Sequence, residues 1–342
     1  MMDDSTPVVQ RTPVQFLPRV SSALDAEVWI KRDDLTHPDF GGNKIRKLVP
    51  LLRIARAAGA EELLTLGAAG SHHVLATAVH GRNMGFSVTA ALVPHPRSPA
   101  ALGNLIAAVR LGTRLIPGGS EPEAAARILA LRYRLARRGR RAYIIPPGGT
   151  SGVGTEGYFQ AGRELGEQIR AGEMPSWPDG IFCALGSGGT SAGLLAALRH
   201  YGAPSRLFAV RIYPSRLIGA LYLNWLARRA VVANSQRTPE NIPPGEKMPP
   251  DKILYIVNDE LGGGYGFPTP AGEKARELFA LDGIVLDPTY TAKAAAGLIR
   301  HARREGRGKR LLFWHTLSGT TPFAGETNRP ASIDESLSRL LR

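Results

Sequence analysis

Twice along this chain, short apolar runs alternate with stretches of helical periodicity, and that order limits the folds available more than any other feature of the sequence. Between Glu62 and Ile145, strands are expected at Leu63–Leu66, Ser87–Val93, Thr113–Ile116 and Ala142–Ile145. Helices are expected from the 67–71 turn to about Met84, over Pro99–Leu111 and over Glu121–Arg137. Parallel strands need such crossovers, so this part reads as a compact α/β unit. From Gly180 the pattern resumes, with strands at Ile181–Leu185, Leu207–Tyr213, Ile253–Val257, Ile284–Leu286 and Leu311–His315. Its helices fall at Ser191–Tyr201, Leu217–Val232, Pro270–Leu281 and Ala292–Arg304.

The remaining segments are less regular. Residues 1–22 read as extended because Pro7, Pro13 and Pro18 oppose helix, and Asp25–Lys31 reads as a strand. Apolar positions from Leu48 to Ala55 form a helical face that ends near Gly59, with a looser first turn expected around Pro50. Gly148–Gly154 is a glycine-rich return before a helix at Thr155–Ala171. The run 235–250 is polar and proline-rich, as expected of a surface excursion, and the tail after Gly325 is polar.

A chain of 342 residues with 43% hydrophobic and 21% charged residues has the composition of a globular protein with a sizeable core. One cysteine, Cys183, excludes an intrachain disulfide and a multi-cysteine metal site. The N-terminus lacks a secretory pattern and no apolar run approaches a membrane span, so a cytoplasmic protein without a membrane partner is expected. The net charge is +14, concentrated in Arg132–Arg141 and Arg300–Arg310. No nucleic-acid motif accompanies it, and these clusters read as solvated helix faces.

Chemistry is suggested by three glycine turns. In Lys31-Arg32-Asp33-Asp34-Leu35-Thr36-His37-Pro38-Asp39-Phe40-Gly41-Gly42-Asn43-Lys44-Ile45-Arg46-Lys47-Leu48, two glycines precede a helix start. Asn43 is the expected N-cap. Lys44 would then lie in the first turn, where the helix dipole and Lys47 both favour its neutral, nucleophilic form. The alternative is a solvated basic helix start. Gly186-Ser187-Gly188-Gly189-Thr190 joins a buried strand to a helix, where backbone N–H groups can hold a phosphate, or where glycines merely permit close packing. It matches neither the Walker nor the dinucleotide fingerprint. Gly67-Ala68-Ala69-Gly70-Ser71-His72-His73 is a similar turn. A zinc site from His72, His73 and His80 lacks a further ligand in the pattern, and no metal is expected.

Together these segments resemble the D-cysteine desulfhydrase/1-aminocyclopropane-1-carboxylate (ACC) deaminase family of pyridoxal phosphate (PLP) enzymes, over about Thr12 to Phe323. The resemblance implies the α/β tryptophan-synthase-β-like fold (fold type II), two domains each with an open, mostly parallel sheet flanked by helices. Residues 1–47 and 158–342 would form the large PLP-binding domain and 48–157 the small one. It implies PLP carried by Lys44 as a Schiff base, its phosphate held by Gly186, Ser187, Gly188, Gly189, Thr190 and Lys47. Ser71 and its turn would bind the substrate carboxylate. His72 stands where the family has asparagine beside the cofactor's phenolic oxygen, and an imidazole there can titrate near neutrality. Tyr265 in Gly262-Gly263-Gly264-Tyr265-Gly266-Phe267-Pro268 and Tyr290 in Asp287-Pro288-Thr289-Tyr290-Thr291 match tyrosines that face substrate, although each alone also suits packing. Thr316 in Trp314-His315-Thr316-Leu317-Ser318-Gly319 would meet the pyridine nitrogen, with His315 structural and Leu317-Ser318 replacing Gly-Gly.

Thr291 stands where the ACC deaminase branch has glutamate, which favours β-elimination over ring opening. The expected activity is a PLP-dependent lyase on a small amino acid, D-cysteine first, then ACC, then cysteate or another β-substituted alanine. A homodimer is implied by resemblance. The reading from another class is a non-catalytic PLP or small-molecule binder, suggested by His72 and Leu317-Ser318.

Overall fold

The apolar runs assemble into two sheets in the computed structural model, which describes residues 6–215, 217–234, 252–320, 322 and 334–342. The first part of the chain comprises β1 (Val14–Phe16), α1 (Pro18–Leu24), β2 (Glu27–Lys31) and α2 (Asn43–Ala57). Then follow β3 (Glu62–Ala68), α3 (His72–Asn83), β4 (Ser87–Val93), α4 (Pro99–Arg110), β5 (Arg114–Pro117), α5 (Glu121–Ala136) and β6 (Ala142–Ile144). The rest is α6 (Gly152–Arg170), β7 (Gly180–Leu185), α7 (Gly189–His200), β8 (Arg206–Arg211), α8 (Ala220–Asn234), β9 (Leu254–Val257), α9 (Pro270–Ala280), α10 (Thr291–Glu305), β10 (Arg310–Trp314) and α11 (Glu335–Ser338).

The larger sheet has the order β1-β2-β10-β7-β8-β9, parallel except for β1 against β2, and the smaller is the all-parallel β5-β4-β3-β6. Both orders reverse direction once. After β7 the chain steps outward to β8 and β9 and then returns to β7's other side as β10. After β3 it steps out to β4 and β5 and returns beside β3 as β6. At such a switch point the loops leaving neighbouring strands diverge and open a crevice at the strands' carboxyl ends. Helix starts there are capped by side chains: Ser71, Ser98, Ser120, Ser151 and Thr269 each accept a backbone N–H of the following helix.

Several local expectations are corrected. Pro18 does not keep residues 18–22 extended; it occupies the first turn of α1, where no N–H is needed. Pro50 lies within an unbroken α2. It cannot donate to the Arg46 carbonyl, and α6 closes over that carbonyl so tightly that a Cβ on Gly157 would lie 1.9 Å from the oxygen. Ile284–Leu286 joins no ladder, although Ile284 and Leu286 are buried. Residues 235–250 lie outside the described residues. The tail is not simply polar: Leu337, Leu340 and Leu341 are buried in the apolar cluster of the smaller sheet.

Candidate active site

The loops at both switch points face one cavity of about 460 Å³, a size suited to a cofactor or small ligand. Its walls include the Leu66–Ala68 end of β3 and Ser71 beyond it, Gly148 after β6, Gly186–Thr190 after β7 and Thr316–Ser318 after β10. Lys44, Lys47, His72, Tyr265 and Tyr290 complete a set in which every residue expected to touch cofactor or substrate lines the same space, whereas Thr291, His80 and His315 do not line it.

Lys44 enters from the first turn of α2, and its Nζ donates to Asn43 Oδ1 at 2.7 Å. Burial pulls the ammonium down to about 8, against the opposing pull of the Asp287 carboxylate. The depression therefore comes from desolvation, rather than from the dipole and Lys47 as the sequence suggested. Asn43 is not the cap either: Gly42, at φ 81°, holds that position. The Asn43 amide is turned into the cavity, donating through Nδ2 to Thr190 Oγ1 at 3.2 Å and so tying the lysine segment to the 186–190 turn.

That turn is built to receive an anion. Gly188 caps α7 at φ 91°, a conformation that favours glycine. The cap offers no side-chain acceptor, so the first N–H groups of a twelve-residue helix have no side-chain cap among the described residues. Ser187 Oγ pairs with Thr150 Oγ1 at 2.7 Å. A Cβ on Gly189 would sit 2.8 Å from Thr150 Oγ1 and 3.1 Å from Lys47 Cδ, so glycine lets both close in. Lys47 is buried, 1% exposed, with no ion pair or hydrogen bond from its ammonium among the described residues. Burial, and then the nearby Lys44 charge, hold it well below its ordinary value. A buried amine without a counter-ion, beside an open helix N-terminus, fits a phosphate group.

The opposite wall carries hydroxyls and rings. Ser71 caps α3, accepting from the His73 N–H at 3.1 Å. His72 is stacked on Phe40 at 6.2 Å and meets the Tyr290 ring edge-on at 5.7 Å. Burial pushes this imidazole down to about 4, so it is neutral at pH 7 and does not titrate near neutrality as expected from its type. The Tyr290 ring lies 5.9 Å from Lys44 Nζ, and its hydroxyl contacts that of Tyr265. Burial raises Tyr265 to about 12 and Tyr290 well above its usual value, so both phenols keep their protons. Thr316 follows β10, and its carbonyl accepts from the Asn43 N–H at 3.1 Å.

His73 and His80 are engaged elsewhere, His73 Nε2 with Thr65 Oγ1 at 2.9 Å and His80 Nε2 with the Phe40 carbonyl at 2.8 Å. Among the described residues no three His, Cys, Asp or Glu side chains gather as a metal site. No described helix is long and apolar enough to cross a membrane.

A family model of pyridoxal-phosphate dependent enzymes matches residues 5–316. The chain belongs to the PLP-dependent enzymes. The D-cysteine desulfhydrases of Salmonella schwarzengrund and Salmonella typhimurium are each 33% identical to it over 92% of this chain and 93% of theirs. A crystal structure described as an ACC deaminase homologue superposes with a TM-score of 0.76 at 31% identity, covering 92% of this chain and 93% of the other. O-ureido-L-serine synthase, at TM-score 0.64 and 16% identity over 97% and 98% of the two chains, shares the fold. This PLP enzyme is thus a fold type II lyase of the D-cysteine desulfhydrase and ACC deaminase group.

Several residues of its site escaped the sequence reading. Asp287 accepts from the N–H groups of Thr289, Tyr290 and Thr291 at 2.9, 2.6 and 3.0 Å, fixing Tyr290 at the start of α10. Lys293 Nζ donates to the Leu261 and Gly264 carbonyls, both at 2.8 Å, and anchors the loop that carries Tyr265. Thr291, which the sequence had already set apart, donates from Oγ1 to Asp287 Oδ2 at 2.6 Å. The charged segment at 31–34 is internal scaffolding: Asp33 accepts from Thr12, Arg46, Tyr158 and Trp314 beneath α2. A charge so deeply buried needs that many donors, a hint available in the sequence only as polar residues directly after an apolar strand.

Proposed function

We propose that this enzyme eliminates the β-substituent of a small amino acid, with D-cysteine the leading substrate, giving pyruvate, hydrogen sulfide and ammonia with uptake of one water. The observation that carries it is Lys44, an amine lowered to about 8 in the cavity it shares with the 186–190 anion cradle. The D-cysteine desulfhydrase relatives support the substrate. Lys44 is assigned to hold the aldehyde cofactor, with Lys47, Thr190 and the N–H groups of 186–190 holding its phosphate. When bound, PLP supplies an electron sink for negative charge at the substrate Cα.

The chain's own groups then do the following. Lys44 Nζ would accept the Cα proton of the substrate. Its lowered pKa keeps a useful fraction neutral near pH 7–8. Ser71 and the N-terminal N–H groups of α3 hold the substrate carboxylate. Tyr290, sharing its hydrogen bond with Tyr265, is positioned to move a proton at the leaving group. His72 and Thr316 present neutral groups to the cofactor ring. Thr291 favours elimination over ring opening, since its short side chain is spent on Asp287. ACC is the second substrate to test, because of the ACC deaminase homologue, followed by cysteate.

We also take residues 48–157 as the small domain and 1–47 with 158–342 as the large one, and assign a cytoplasmic homodimer. The functional test is keto-acid and sulfide release from a panel of D- and L-amino acids, ACC and cysteate by the PLP-loaded enzyme. Sulfide and pyruvate from D-cysteine are the expected result. Bound cofactor whose absorbance no amino acid perturbs would instead establish a non-catalytic binder.

A further inference from the structure

Residues 334–342 return to the smaller sheet far from any strand next to them in sequence, and their contacts converge on the cavity wall. The His95 N–H donates to the Leu340 carbonyl at 2.8 Å, the Arg342 N–H to the His95 carbonyl at 3.1 Å and the Arg97 N–H to the Arg342 carbonyl at 2.8 Å. These bonds include a parallel bridge between His95 and Leu341. Leu337, Leu340 and Leu341 are buried in one cluster with Ala69 and Val74, which flank Ser71 and His72.

The held segment is itself part of the site. Val93 and Pro94 line the cavity immediately before His95. The His95 ring is fixed from within, its Nδ1 2.8 Å from the Pro96 carbonyl, and it meets the Tyr265 ring edge-on at 5.1 Å. Gly266 closes against it: a Cβ there would lie 2.9 Å from His95 Nε2. Tyr265 in turn contacts the Tyr290 hydroxyl.

We propose that residues 334–342 form a strap that positions the substrate-binding wall, pressing His95 against Tyr265 and backing the turn that carries Ser71 and His72. This rests on the assignment of those residues to substrate. Burying three leucines at 8%, 6% and 8% exposure makes the contact apolar and persistent, and the three backbone bonds set its register. The 186–190 cradle lies on the other sheet, so the strap separates amino-acid binding from cofactor phosphate binding. His95, Leu340 and Leu341 are positioning residues, touching neither cofactor nor substrate.

The test compares wild type, a chain stopped after residue 333 and Leu341→Ala, all loaded with PLP. Two measurements are made: the Kd for D-alanine, which has no β leaving group, from the change in cofactor absorbance, and amide hydrogen exchange. The strap predicts faster exchange at 69–75, 93–97 and 262–267 with 186–190 unchanged. It also predicts D-alanine binding weakened about tenfold or more in the shortened chain, since displacements near an ångström at a site are costly. Leu341→Ala should show the same pattern at smaller size, and it decides the matter if the shortened chain fails to fold. Exchange unchanged at the three segments with Kd within about twofold would overturn the strap. So would acceleration that includes 186–190 with loss of cofactor, the mark of general destabilisation. Were wild type to respond to no amino acid, the substrate assignment would fail while exchange still decided on the strap.

Discussion

Lys47 lies against Gly189 so closely that a methyl there would sit 3.1 Å from Lys47 Cδ. One turn earlier on α2, Lys44 donates to Asn43, which in turn donates to Thr190 at the same turn. The two lysines thus reach one anion cradle in different ways: Lys44 is tethered to it through Asn43, and Lys47 is pressed directly on its backbone. Of these two lysines, Lys44 alone has a hydrogen-bond partner for its amine among the described residues.

Replacing Lys47 by methionine should therefore act in opposite directions with and without cofactor. The apoprotein gains stability, because a buried amine without a counter-ion is replaced by an apolar side chain of similar length. PLP affinity falls about 10- to 100-fold, the usual worth of a hydrogen bond to a charged group. Thermal melting of the apo form and equilibrium dialysis with PLP measure the two effects.

The Lys44 amine should make cofactor loading depend on pH. The neutral amine is the reactive form, so the rate of PLP uptake by apoprotein rises with pH and levels off above about 8, the value to which burial lowers Lys44. A rate that keeps climbing to the ordinary lysine value of 10.5 would show that the amine is not desolvated in solution.

Tyr290→Phe tests the tyrosine pair. The ring and its packing on His72 remain, while the hydroxyl shared with Tyr265 is lost. Cofactor loading should stay within about twofold while kcat/KM for D-cysteine falls about 100-fold or more, the scale of one positioned proton donor. Steady-state kinetics beside cofactor absorbance measure this directly.

Beneath the site, Glu164 pairs with Arg46 and Lys31. Burial alone would raise its pKa, but the two cations outweigh that and pull it down to about 2. The folded value lies below the ordinary glutamate value of 4.5, so these contacts contribute stability above pH 4.5 that is lost as pH falls towards 2. Glu164→Gln should cost roughly 3 kcal/mol at pH 7 and flatten the fall in the urea midpoint between pH 5 and 3. An unchanged midpoint at pH 7 would show that the network contributes nothing.

The packing of α6 on α2 sets where both lysines point. Gly157→Ala would place a Cβ 1.9 Å from the Arg46 carbonyl oxygen, a backbone atom that cannot step aside. A loss of about 3 kcal/mol is expected, at the upper end for overpacking, with cofactor affinity falling as α2 shifts. Chemical denaturation beside PLP titration measures both effects.

Much of this site was legible because its glycine turns stand between an apolar strand and a helix start, where local sequence alone dictates the geometry. The Gly186–Thr190 and Gly67–Ser71 turns are such cases. What was not legible depends on chain segments distant in sequence. Lys293 acts on backbone carbonyls of a loop about thirty residues earlier that only the fold brings near, and Asp33 draws donors from four separate segments. The role of Asn43 was misjudged because Thr190, which claims its amide, lies 147 residues away. Pro18 and Pro50 were read by their general effect, although position within the helix decides it. Leu337, Leu340 and Leu341 do carry helical spacing, a signal overlooked within a polar tail.

The account depends on one amine. Treating the PLP-loaded enzyme with borohydride, digesting it and locating the pyridoxyl group by mass spectrometry measures it directly. The predicted result is a single adduct on Lys44 that disappears in Lys44→Ala. An adduct on Lys47 or another lysine, with Lys44 unmodified, would contradict it.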